Sequence, residues 1–158
     1  METPSDKVTK RGVLSKSSKL FDPLGLVTPI LVSLKIFIQD LWIDWDHHVN
    51  EDLHATWTFI RKGLGSLESI KIPRWFGCTT STSSTLHGFA DASKRAYTAC
   101  LYYVSDTGPT RLICVEFRVA PVNTISITKL ELWGSQLLVQ LIAYILPSFT
   151  CQPAEIYC

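Results

Sequence analysis

Charge is scarce in this chain. Only 18% of the 158 residues are Asp, Glu, Lys or Arg, and the formal net charge is +1. A uniformly basic nucleic-acid-binding module is therefore excluded on charge, although local patches remain open. Disorder is excluded as well, because 46% of residues are hydrophobic and so apolar a mix collapses into a core. Cysteine is sparse: Cys78, Cys100, Cys114, Cys151 and Cys158 include no Cys-x-x-Cys pair. Their odd number and wide spacing argue against a disulfide framework and favour a reducing, intracellular, cytoplasmic setting. The first 19 residues are polar and basic with no apolar segment of the secretory kind. The most apolar stretch, Pro23–Ile43, is interrupted by Pro29, Lys35, Gln39 and Asp40. A span needs about 20 predominantly apolar residues, so no membrane partner is expected. No repeat of solenoid period is present.

What is there divides into a helical and a strand-rich part. Residues 1–20 read as an extended basic lead-in, carrying Lys7, Lys10, Arg11, Lys16 and Lys19. From Pro29, Ile30, Leu34, Phe37, Ile38, Leu41 and Trp45 recur at helical spacing, with Val32, Ile36 and Ile43 as a second stripe. Two stripes predict a helix packed between partners. A second helix is predicted over Glu51–Leu64, capped by Asn50 and ended by Gly63 and Gly65, with Leu53, Trp57, Ile60 and Leu64 on one face. The polar run Thr79–Thr85 reads as a loop. Strands are predicted at Leu86–Asp91, Tyr97–Val104 and Arg111–Val119, the last two joined by a hairpin turn at Ser105–Pro109. A long helix comes next over Lys129–Leu146, with Leu130, Trp133, Leu137, Leu141 and Tyr144 as its buried face and Pro147 as its stop. Glu155–Cys158 begins a further strand. The class is α+β, with αα followed by βββαβ.

Two carboxylates stand where chemistry is plausible. Asp91 ends the first strand and Glu131 lies in the first turn of the long helix. Hard divalent cations take carboxylate oxygens converging from different elements, and two such metals hydrolyse phosphodiesters when about 4 Å apart. Structural roles compete with that reading. Asp91 followed by Ala92-Ser93 can start a turn. Thr128-x-x-Glu131 spells a capping box.

Four segments resemble the Pol polyprotein of BEL/Pao retrotransposons, in that family's order: Leu20–Leu26, Ile72–Trp75, Leu86–Ser93, and Arg118–Pro121 through Leu130-Glu131-Leu132. The resemblance covers residues 10–158. It implies that 21–72 is a connection-like segment between reverse transcriptase and ribonuclease H. It also implies that 73–158 is the N-terminal part of an RNase H-like domain, in which Asp91 and Glu131 are metal-binding catalytic acids. The implied cofactor is Mg2+ or Mn2+, and the implied partners are an RNA–DNA hybrid and the rest of the polyprotein. The family's next motif, of Trp-x-Asp-Ser type, and a later Asp are absent, as is the paired-aspartate palm of the reverse transcriptase. The chain is therefore expected to be a truncated, inactive fragment that folds weakly. The alternative is a non-catalytic remnant or host-adopted interaction module.

Other signals have plainer readings. Asp106-Thr107-Gly108 matches aspartic peptidases, but Ser105 and Pro109 flank it, and a hairpin turn accounts for it. His47, His48 and His54 near Asp44 and Asp46 suggest zinc, but the spacing favours a solvated interhelical loop. Trp42, Trp45, Trp57, Trp75 and Trp133 lie mostly at core spacing, so packing is a better account of them than base stacking.

Overall fold

The computed structural model describes residues 8–41, 44–69, 71–73, 75 and 83–158. The chain forms two compact units, one of residues 1–23 and 29–70, the other of 24–28 and 71–158. Trp42, Ile43, Arg74 and residues 79–82 of the expected loop fall outside the described residues.

The first unit holds three helices. The expected lead-in is instead a helix, α1 (Lys10–Ser17), capped by Thr9, whose Oγ1 accepts from Gly12 N at 3.2 Å. Periodicity could not show it, because a single residue, Val13, is fully buried in it. The helix is fastened from outside: Arg11 N donates to Trp45 O, Val49 N donates to Val8 O, and the Arg11 guanidinium holds the Asp46 carboxylate at 2.7 Å. The second helix, α2 (Thr28–Asp40), buries Leu34 and Phe37, and Leu41 joins them in the core. It stops before Trp45, which is 55% exposed in the loop beyond, so the expected stripe is one turn too long. The third, α3 (Glu51–Ser66), starts where Asn50 predicts it: the Asn50 side chain accepts from Leu53 N at 2.9 Å. Gly63 and Gly65 do not end it. Neither adopts the left-handed conformation, and the helix runs on to Ser66, whose hydroxyl donates to Gly63 O. Trp57 and Ile60 face Phe37, whose ring stacks on Trp57 at 6.1 Å.

The second unit is a four-stranded sheet of order β3-β2-β1-β4 with one long helix packed on it. Strands β1 (Ser84–Ala92), β2 (Ala96–Ser105) and β3 (Arg111–Val119) form an antiparallel meander. Alternation in β1 buries Ser84, Leu86 and Gly88, so Ser84 and Thr85 belong to the strand and not to the expected loop. Asp106-Thr107-Gly108 forms the turn of the β2–β3 hairpin. The helix α4 (Ile127–Ile145) then crosses to β4 (Glu155–Tyr157), which pairs parallel with β1 as a parallel connection requires. Leu86, Leu101, Tyr103, Cys114, Leu137 and Leu138 make the core.

The buried face of α4 is Leu130, Gly134, Leu137 and Leu138, with Trp133 and Leu141 half-buried. Tyr144 is 79% exposed, against expectation. The buried face runs through Leu130, Gly134, Leu137 and Leu138, and Tyr144 falls outside it. Residues 127–148 are long and apolar enough to span a membrane, but α4 lies against β1 and β2.

The Leu24–Thr28 segment docks on the outer edge of the sheet, where Val115 N donates to Leu24 O at 2.8 Å. Gly25 has φ +68°, and a Cβ there would sit 1.8 Å from Val115 O. Both constraints require glycine. Gly25→Ala is therefore expected to lower stability by about 1–3 kcal/mol from backbone strain alone and to release the Val115 amide to hydrogen exchange. Wild-type protection of that amide in the variant would refute the account.

Burial raises the Cys114 thiol from an ordinary 9.0 to about 11. The folded chain keeps this proton while the unfolded chain loses it near 9, so unfolding releases a proton between those values. Stability from this group is accordingly intact below pH 9 and falls as pH rises toward 11. With mass mapping at pH 8, iodoacetamide is expected to label exposed Cys158 rapidly and Cys114 only on unfolding. Equal rates at the two would contradict this.

Candidate functional site

Asp91 is exposed, one residue before the end of β1, and its register partner is Thr98 of β2. Glu131 is exposed on α4, one helical turn before Gly134. The two elements meet at that glycine. A Cβ on Gly134 would lie 3.5 Å from Asp91 O, 3.7 Å from Thr98 O and 3.8 Å from the Ala90 Cβ. The helix thus rests almost on the backbone of the strand that carries Asp91, and both carboxylates are attached within one helical turn of this contact. Alternation, which turns Ala90 toward α4, turns the Asp91 carboxyl toward the other side of β1. The two acids flank the same end of the strand.

Neither competing structural role falls to the two acids, although the Ser126 side chain makes no cap bond either. In the turn after β1, Ser93 does the bonding: its Oγ accepts from Arg95 N at 3.2 Å and from Ala96 N at 3.1 Å. Asp91 takes no part. At the start of α4 the N-cap is Ser126, so Thr128 lies inside the helix and no capping box joins it to Glu131. Among the described residues, neither carboxylate enters a hydrogen bond or an ion pair. The turn itself presents exposed Lys94 and Arg95 beside Asp91, and Arg95 O is tied to Ala120 N at 2.8 Å.

No group of three or more His, Cys, Asp or Glu able to hold a metal occurs among the described residues. Around the histidines of the interhelical loop, Asp46 is bound by Arg11, and Asp44 lies 3.6 Å from His47. Of the tryptophans expected in cores, Trp57 is buried, Trp133 half-buried, and Trp45 and Trp75 exposed. Sequence reasoning overlooked Gly134. Its one signal is a helix-disfavoured residue inside an apolar stripe.

The sheet order and the helix crossover define an RNase H-like unit. The chain belongs to the Pao retrotransposon-like RNaseH-like domain family, whose model matches residues 9–158. No curated protein matches it in sequence. A solved structure of a foamy viral protease–reverse transcriptase in complex with dsDNA is similar at TM-score 0.32 and 15% identity. That similarity covers 99% of this chain and 32% of the viral one, so the chain spans about a third of that protein's length.

The Gly134 contact makes a signed prediction. All three distances are ordinary van der Waals separations, so Gly134→Ala should fold normally and gain up to about 1 kcal/mol from helix propensity. Gly134→Leu should lift α4 off Asp91 and destabilise the unit. Urea unfolding midpoints decide the matter, and a destabilised alanine variant would show that the contact is tighter than described.

Proposed function

We propose that residues 84–158 contribute two ligands, Asp91 and Glu131, to a metal-dependent nuclease centre that cuts the RNA strand of RNA–DNA hybrids during reverse transcription. The observation that carries this reading is the pair of unengaged carboxylates on either side of the Gly134 contact. Family membership supplies the reaction class.

The donor chemistry suits a hard divalent ion, Mg2+ or Mn2+, which prefers carboxylate oxygens. The donor number falls short, since two carboxylates do not fix two metals. When bound, such ions polarise the scissile phosphate and activate water. The residues of this chain have simpler tasks: Asp91 and Glu131 hold charge at fixed points, and Ser93 keeps the turn from competing for Asp91. Further carboxylates from the rest of a Pol polyprotein complete the centre, and the 158 residues acting alone are inactive.

Cleavage of a labelled RNA–DNA hybrid with Mg2+ or Mn2+ tests this, comparing the 158-residue chain with a version extended by further Pol sequence. Only the extended version should cleave. Asp91→Asn and Glu131→Gln should each reduce its rate about a thousandfold or more, because ligands of one centre act as a unit. Cleavage by the 158 residues alone would disprove the need for further ligands. Full activity of both variants would remove the site assignment. A folded, inactive extended protein would favour a non-catalytic interaction module.

A further inference from the structure

On the α4 side of the sheet lies an open groove of about 200 Å³, lined by Tyr97, Arg118, Trp133, Gln136, Leu137 and Gln140. Its composition is specific. The Tyr97 and Trp133 rings form one wall, 5.8 Å apart and tilted by 58°. Buried Leu137 lies beneath, and exposed Gln136 and Gln140, one helical turn apart on α4, bring two carboxamides. Two cations flank the aromatic wall: exposed Arg118 on β3, and Lys129, whose Nζ lies 5.5 Å from the centre of the Trp133 ring. Among the described residues, Arg118 enters no ion pair, and Glu116, the acid two residues before it, does not line the groove.

We infer that this groove is a subsite for one unpaired nucleotide of a nucleic-acid strand, with the base against Tyr97 and Trp133 and its phosphate at Arg118 and Lys129. Aromatic faces joined to cations bind single-stranded nucleic acid largely without regard to sequence, because every base has a π face. The carboxamides supply donors and acceptors for a base edge. The volume is below the roughly 300 Å³ at which small-molecule pockets usually begin, so it suits one ring system and excludes a duplex. The groove shares its strand and helix with the candidate site: Tyr97 pairs with Ala92 of β1, and Trp133 lies on α4 with Glu131. The inference rests on the nuclease reading for its biological sense, but the binding itself needs no metal.

The test is fluorescence anisotropy of a labelled short oligothymidylate titrated with the 158-residue chain in EDTA. Binding is expected, weaker by about tenfold for an abasic strand of equal charge. Similar losses are expected for Arg118→Ala and for the double variant Gln136→Ala/Gln140→Ala, all at exposed positions that leave the core intact. Lys62→Ala, on α3, should bind as the wild type does. No binding by the wild type, equal binding of abasic and thymidylate strands, or unchanged affinity in both groove variants would each overturn the subsite. Binding in EDTA that persists while the extended protein shows no nuclease activity upholds the groove and removes only the nuclease reading.

Discussion

The second unit depends on how closely α4 lies against β1 and β2. Two glycines lie at that contact, one on each side, and Gly88 is the tighter. A Cβ on Gly88 of β1 would come within 2.8 Å of a Leu138 methyl, and Gly134 of α4 rests over the carbonyls of Asp91 and Thr98. With no side chain at Gly88, Leu138 closes onto the sheet, and Leu130 and Leu137 are buried with it. Each such leucine contributes about 1.5–3 kcal/mol when fully buried. The same contact governs topology. A helix held over β1 and β2 delivers the chain to the free side of β1, where β4 pairs in parallel. It also fixes where Glu131 stands, one turn away from the contact.

The two edges of the sheet are treated differently. At β3, the Leu24–Thr28 segment takes up the outward N–H of Val115, which removes part of a template for pairing with other chains. At the other edge, β4 has three residues, all exposed, with Ile156 and Tyr157 among the exposed large hydrophobics. The outer face of α4 adds Leu132, Val139 and Tyr144. Among the described residues, these are the main exposed apolar surfaces of the second unit. The apolar excess of the composition thus has a location.

The meander was legible because a strand's period of two and a hairpin turn are local properties. The predicted bounds of β3 match those observed, and those of β1 and β2 differ by one or two residues. The start of α3 was legible for the same reason, as the Asn50 side chain caps the first turn beside it. Tertiary contact decided the rest. The α1 helix is short and polar, and only its bonds to residues 45–49 and the burial of Val13 reveal it. Gly63 and Gly65 look like a helix end, yet the chain carries the helix through them. The carboxylates could be placed on β1 and α4 from sequence, but the groove could not. Tyr97, Arg118 and Trp133 are widely separated along the chain and meet only when α4 settles on the sheet.

An exposed acid without a partner is ordinary, and Glu116 shares that condition with Asp91 and Glu131. Lack of a bond therefore marks nothing by itself. What distinguishes the pair is that each stands where a local structural task was available and does not perform it. Ser93 makes the turn that Asp91 was placed to make, and Ser126 takes the N-cap that a capping box would have given to Thr128 and Glu131. Asp46 and Asp44, by contrast, are engaged with Arg11 and His47. Two acids relieved of local duty are attached near the same backbone contact at one strand end, and on the proposed reading their sense lies in what a bound cation would gain there.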